Sequence, residues 1–248
     1  MIEELRAVWP DIERCEGSGP VYGWPASAKL LVPYSTHHRL VCSNDAHKLE
    51  SWFHTRAVVP TFALDTEFEL RDCAGEEKNV VVLVQFASHG HVLLTNCITN
   101  PEVLKMLLSP EVKKVGKDLR GDWTALATTL MQSDVNSVTL VDGTEVEVES
   151  VLAAGSAAAG WHDITELLPM HRIDTPTEAL TRFVLDRTAD WKRTVDHKRN
   201  PPHWADVERL DRTALVYAMS DACFVWDVMV AVEDKVVSQG GRFPWLLR

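Results

Sequence analysis

The run "VVVLVQFA" at residues 80–87 leaves this chain few ways to fold. It is too short for an ordinary helix, and four of its residues are β-branched valines, so it reads as a strand. Apolar residues do not alternate with polar ones along it. A strand without alternation must be covered on both faces, as in a sheet layered between helices.

The flanking sequence agrees. Strands are expected at 61–68 and His91–Thr95, with a polar turn over 72–78. Pro101 opens a helix carrying Val103, Leu104, Leu107 and Leu108. A short strand at 114–116 leads into a helix over Leu119–Met131, and "SVTLVD" supplies a further strand. "EVEVE" reads equally as strand or helix start, and "AAGSAAAG" as a connector. Thr175, Pro176 and Glu178 form a capping-box pattern, which predicts a helix to Leu185. A long helix is expected over 206–237. Upstream, "HRLVCSNDAHKLESWF" predicts a short strand, an Asn or Asp cap, and an amphipathic helix with Leu49, Trp52 and Phe53 on one side. The class is α/β. Residues 37–248 read as one domain. Residues 1–36, rich in Gly and Pro after a short helix at 2–8, read as an N-terminal extension whose Trp9, Trp24 and Tyr34 either pack on the domain or dock a protein partner.

The 248 residues are 46% apolar, ample for a core, and no stretch of 18 consecutive apolar residues occurs. No membrane partner is therefore expected. The N-terminus is too acidic for a transit peptide and too polar for a signal peptide. Five scattered cysteines without a CxxC pair read as reduced thiols, so the expected location is intracellular, cytoplasmic or nuclear. The net charge of −11 repels polyanions overall. Any nucleic acid must then be held by a local basic patch or by bound cations.

Acids interrupt apolar elements at four places. In "FALDTEFEL", Asp65 and Glu67 stand two apart on a strand and so share one face. Asp122 follows a strand and turn in "KKVGKDLRGDWTAL". Asp221 lies on an apolar stretch of the last helix, four residues after Tyr217, so phenol and carboxylate project together. Singly, each acid can be a strand-end, solvent-facing or capping residue. Jointly, four carboxylates need a reason to converge, and hard divalent cations supply one.

These motifs, in this order, resemble the tyrosine-bearing DEDD branch of 3′–5′ exonucleases, the ribonuclease D and Werner-syndrome-type exonuclease domains. "LDTEF" is similar to the family's first motif, "VVLVQFAS" and "HVLLTN" to its next two strands with the glutamine at Gln85. "VGKDLRGDWTAL" is similar to the second motif, and "YAMSDACFVWDVM" to the third. The resemblance spans residues 38–235. It implies a ribonuclease-H-like fold, a mixed central sheet flanked by helices, with the acids at one sheet edge. It further implies two ions, Mg²⁺ or Mn²⁺, the first held by Asp65, Glu67 and Asp221, the second by Asp65 and Asp122. Tyr217 would orient the attacking water. The substrate would be single-stranded or 3′-ended nucleic acid, RNA slightly before DNA, shortened to nucleoside 5′-monophosphates. Thr66, between the two acids, and Trp123, after the third, would contact it.

The most basic stretch, residues 187–204, sets Arg187, Lys192, Arg193, Lys198 and Arg199 against Asp190 and Asp196, interleaved with Trp191, His203 and Trp204. Lys192, Arg193, Lys198, Arg199 and Trp204 are expected to bind phosphates and bases, the alternative being a solvated loop over buried tryptophans. Lys113, Lys114 and Lys117 form a weaker basic cluster. Where many relatives carry Asn, this chain has Asp118, expected either to cap the next helix or to alter the second metal's affinity. The rival function is a nucleic-acid-binding adaptor or scaffold that keeps the fold without cleaving.

Overall fold

The computed structural model describes residues 13–14, 39–55, 61–88, 90–167, 176–186, 188–193, 195 and 202–238. The helix expected at 2–8, Thr175, Lys198 and Arg199 lie outside these residues.

One sheet is built from β1 (Glu13–Arg14), β2 (Arg39–Cys42), β3 (Thr61–Cys73), β4 (Glu76–Ser88), β5 (His91–Thr95), β6 (Lys113–Gly116) and β9 (Trp161–Asp163), in the order β1-β2-β5-β4-β3-β6-β9. Only β4 runs against its neighbours β3 and β5; the other pairings in this sheet are parallel. The expected mixed sheet is therefore present, and the 13–14 segment of the N-terminal extension adds an edge strand to it. A separate antiparallel pair joins β7 (Ser137–Thr139) to β8 (Glu145–Glu147). "EVEVE" is both things it resembled: strand to Glu147, then helix from Val148.

Helices cover both faces of the sheet. On one side lie α1 (Ala46–His54), α2 (Pro101–Leu108) and α3 (Leu119–Met131), with α4 (Val148–Ala154) beside them. Their core includes Leu49, Phe53, Phe62, Leu64, Phe86 and Leu126. Trp52, Phe53, Phe62 and Phe86 meet at ring separations of 5.1–6.5 Å, largely edge to face. On the other side, α5 (Thr177–Leu185) and the 27-residue α6 (Arg212–Ser238) pack on Ala63, Val82, Leu83, Ala87 and Val115. Helix α6 has the length and apolar content of a membrane span, but 72% of its most apolar window is buried within the domain. Its apolarity is that of a core helix.

Alternation along β3 sends Ala63, Asp65 and Glu67 toward α6, and Phe62, Leu64 and Thr66 toward α3. In β4 the phase slips: Val82 and Leu83 both join the α6-side core, while Val81 and Val84 join the other. The strand register shifts at this point, between Glu67 and Phe68 of β3, which marks a bulge beside the acid pair.

Several boundaries differ from expectation. The β3–β4 hairpin continues to Cys73 and Glu76, leaving only two residues in the turn, because residues 69–79 pair with one another although most of their side chains are exposed. The last helix begins at Arg212 rather than near 206. Asp211 accepts from the Ala214 N–H at 2.8 Å and so caps it. Helix α5 starts at Thr177 with Pro176 before it, close to the expected start, and the Thr175 of the expected capping box lies outside the described residues. Gly160, at φ +77°, closes the small-residue connector. A Cβ there would lie 2.6 Å from the Val112 carbonyl oxygen.

Candidate active site

Strand β3 and helix α6 build the centre of the site. Asp65 and Glu67 project from β3, Asp221 from α6, and their ligand oxygens all lie within 4.8 Å of one another. Asp221 is buried and the other two half-buried. Gln85, opposite Asp65 in the β3–β4 ladder, donates Nε2 to Glu67 Oε1 at 3.4 Å. Its Oε1 is buried without a hydrogen-bond partner.

Asp122 reaches the site from the opposite face. It lies in the first turn of α3, buried, and accepts a short hydrogen bond from the Thr66 hydroxyl. The trio and the fourth acid thus stand on either side of β3, which is why three acids cluster tightly and the fourth does not. The path into α3 is constrained. A Cβ on Gly116 would sit 2.6 Å from the Leu64 carbonyl oxygen, so only glycine lets β6 pass β3 this closely. Asp118 adopts the left-handed region, φ 59° and ψ 44°, a conformation that Asn and Asp tolerate better than most residues. It makes no side-chain cap. Its N–H instead donates to Asp163 Oδ2 at 2.6 Å, and Asp163 Oδ1 accepts from the Thr165 N–H and hydroxyl at 2.9 and 2.5 Å.

Lys192 enters the cluster from the 3₁₀ turn Asp190–Arg193. Its Nζ lies 2.7 Å from Asp221 Oδ1 and 3.2 Å from the Tyr217 hydroxyl oxygen, 4.9 Å from the centre of the Tyr217 ring. The buried Trp191 donates Nε1 to the same Asp221 oxygen at 2.7 Å.

The electrostatics follow from crowding like charges in a poorly solvated place. Burial pushes the Asp65 carboxyl well up, and the charges of Asp221, Asp122 and Glu67 push it further. Glu67 is raised by burial and by Asp221. Asp122 is raised to about 6 by burial, against the lowering effect of the Thr66 hydrogen bond. Burial would lower Lys192, but the charges of Asp221, Tyr217 and Asp65 hold it above the usual lysine range. Burial and Asp221 together raise the Tyr217 phenol.

The basic residues divide. Lys192 points inward and Arg193 is exposed. Trp204 is only 3% exposed and packs on Tyr217 with ring centres 6.1 Å apart, so base stacking from that position is not supported. Asn96 holds it there, donating Nδ2 to the Trp204 carbonyl at 2.7 Å and accepting from the Val207 N–H at 2.5 Å. Trp123 is half-buried, edge-on to Trp161 at 5.2 Å. The Thr66 side chain is buried and engaged with Asp122. Lys114 is wholly buried, its Nζ donating to the Ser109 carbonyl at 2.8 Å, and so leaves the basic cluster expected around it. Asp163 and Asn96 were not singled out in the sequence. A polar residue ending an otherwise apolar strand or following one was the available signal.

A ribonuclease-H-like sheet with acids gathered where β3 meets α6 defines a class of nuclease domain. The chain belongs to the 3′–5′ exonuclease domain family, whose description matches residues 40–236. Among solved structures, the exonuclease domain of Aedes aegypti Nibbler is 14% identical with a TM-score of 0.53, over 82% of this chain and 90% of that one. The catalytic core of Trypanosoma brucei RRP6 is 13% identical with a TM-score of 0.55, over 82% and 48%. Trypanosoma brucei RNase D in complex with RNA U12 is 18% identical with a TM-score of 0.52, over 79% and 62%. This chain thus spans about half of the RRP6 core and under two thirds of that RNase D. No curated protein sequence matches it.

Proposed function

We propose that the chain is a metal-dependent 3′–5′ exonuclease of the tyrosine-bearing DEDD type that releases nucleoside 5′-monophosphates from single-stranded 3′ ends, RNA in preference to DNA. The observation that carries this reading is the trio Asp65, Glu67 and Asp221, three carboxylates with oxygens within 4.8 Å and, among the described residues, one ammonium in an ion pair with them. Such a group suits a hard divalent cation, Mg²⁺ or Mn²⁺. Asp65, Glu67 and Asp221 would hold the first ion, and Asp65 with Asp122 the second. Bound there, the ions would make water nucleophilic near neutral pH and offset charge on the scissile phosphate and the leaving 3′ oxygen.

The chain's own groups do the positioning. Trp191 and Lys192 both engage Oδ1 of Asp221 and so fix the orientation of its carboxylate. Gln85 steadies Glu67, and Thr66 steadies Asp122. The Tyr217 oxygen accepts from Lys192 at 3.2 Å, which fixes the phenol beside the acid trio. Burial and the Asp221 charge keep the phenol protonated in the metal-free site, and its place beside the trio suits it to orient the attacking water. Attack at phosphorus breaks the bond to the 3′ oxygen of the preceding nucleotide, which takes a proton as the monophosphate departs. The preference for RNA is supported by the RNA and GMP complexes of the T. brucei RNase D neighbour.

The test uses 5′-labelled strands of one sequence, RNA and DNA, each with a free or a phosphorylated 3′ end, in Mg²⁺, Mn²⁺ or EDTA. A ladder shortening from free 3′ ends, metal-dependent and faster on RNA, is expected. Internal cutting, or cleavage unaffected by EDTA, would contradict the proposal. Retained binding without cleavage in either metal would favour the adaptor reading.

A further inference from the structure

Lys192 differs from every other basic residue of the 187–204 stretch that the structure describes. Its ammonium points into the carboxylate trio, and among the described residues it is the one basic group acting on both Asp65 and Glu67. Its place is fixed by its neighbour. Trp191 is buried, packs on Phe224 at 6.0 Å between ring centres, and donates to Asp221 Oδ1. The next residue therefore starts beside that oxygen, and Lys192 reaches it at 2.7 Å with its ammonium 4.9 Å from the Tyr217 ring centre. A lysine serving only as an outer phosphate contact needs neither this anchor nor these two partners.

We infer that Lys192 is a tethered counter-ion, which offsets the charge of the acid trio in the absence of divalent metal and opposes metal binding at Asp221, so that filling the site takes a higher concentration of free cation. The inference rests on the reading of the trio as metal ligands. An ammonium and a divalent cation seek the same oxygens, and a fixed positive charge this close repels a second one in a site that water screens poorly. Such a residue has two opposite effects. It stabilises the metal-free protein by offsetting like-charge repulsion, and it weakens the first metal's affinity.

Manganese binding to the full-length chain, followed by EPR, tests this together with melting in EDTA. Lys192→Met is expected to bind the first Mn²⁺ at least about tenfold more tightly than the wild type and to melt lower in EDTA. Lys192→Arg, which keeps the charge, is expected to stay within about twofold in affinity. If Lys192→Met does not fold, Lys192→Gln is read by the same criterion. Unchanged or weaker Mn²⁺ binding by a folded, uncharged variant would overturn the role of Lys192 and leave the metal site standing. A wild type that binds no Mn²⁺ would overturn the metal reading, and this inference with it.

Discussion

The Thr66 hydroxyl donates to the Asp122 carboxylate, joining the strand that carries two of the acids to the helix that carries the fourth. The bond favours the ionised form of Asp122, whose carboxyl burial has raised to about 6. Thr66→Val removes it. A hydrogen bond to a charged group contributes about 1.5–3 kcal/mol, so the Asp122 titration should move up by about one unit or more. A higher value means less carboxylate at a given pH. Followed by NMR in EDTA, the Asp122 carboxyl is expected to titrate at higher pH in Thr66→Val than in the wild type. An unmoved titration would show that Thr66 does not support Asp122.

Asp65 and Glu67 both have folded-state values raised by burial and by neighbouring acids. Below about pH 3 they are protonated in both states and contribute no pH slope. As pH rises, the unfolded chain loses these protons first, so stability falls until the pH passes the folded values. Urea unfolding in EDTA should show this decline. Saturating Mn²⁺ should reverse it at neutral pH, raising Tm by about 5–10 °C at a hundred times Kd.

Asp163 holds the left-handed turn that launches α3. Asp163→Ala leaves the Asp118 N–H without its carboxylate partner, at a cost of about 1–3 kcal/mol in urea unfolding. Asp122 sits one turn further along the same helix, so kcat should fall at least about tenfold while KM changes little, as when a group acting in the transition state is displaced. Asp163→Asn, which keeps one acceptor oxygen, should recover part of both.

Lys114 is buried with a single carbonyl partner, and burial lowers its ammonium well below the usual lysine range. Between that lowered value and the ordinary one the unfolded state binds more protons, so this residue makes stability rise with pH. Lys114→Met should stabilise the protein at neutral pH by about 1–2 kcal/mol and flatten that slope. Thermal unfolding between pH 6 and 9 measures both.

The elements with strong periodicity were legible in the sequence. The central strand, α3 to both its ends, and the acids on β3 and α6 were read from apolar spacing and from charges set where apolar residues belong. What escaped depends on partners distant in sequence. Residues 69–79 carry no buried face, so only their mutual pairing makes them strand. Trp204 reads as a stacking residue among basic neighbours, but Asn96, 108 positions away, fixes the loop that buries it. Lys114 belongs to a run of charge along the chain, yet its side chain turns inward to Ser109. That Lys192 faces the acids follows from Trp191 anchoring on α6, which no local pattern reveals.

The proposed activity requires the acids of β3 and α6 to act as one hydrolytic centre. Single-turnover cleavage of a 5′-labelled RNA in Mn²⁺ by the wild type, Asp65→Ala and Asp221→Ala tests it most directly, with circular dichroism to verify the fold. Metal-ion and water-orienting contributions of this kind account for several kcal/mol of barrier lowering. Each variant should therefore lose at least about a thousandfold in rate with the fold retained. A folded Asp65→Ala or Asp221→Ala that cleaves within about tenfold of the wild type would contradict the account.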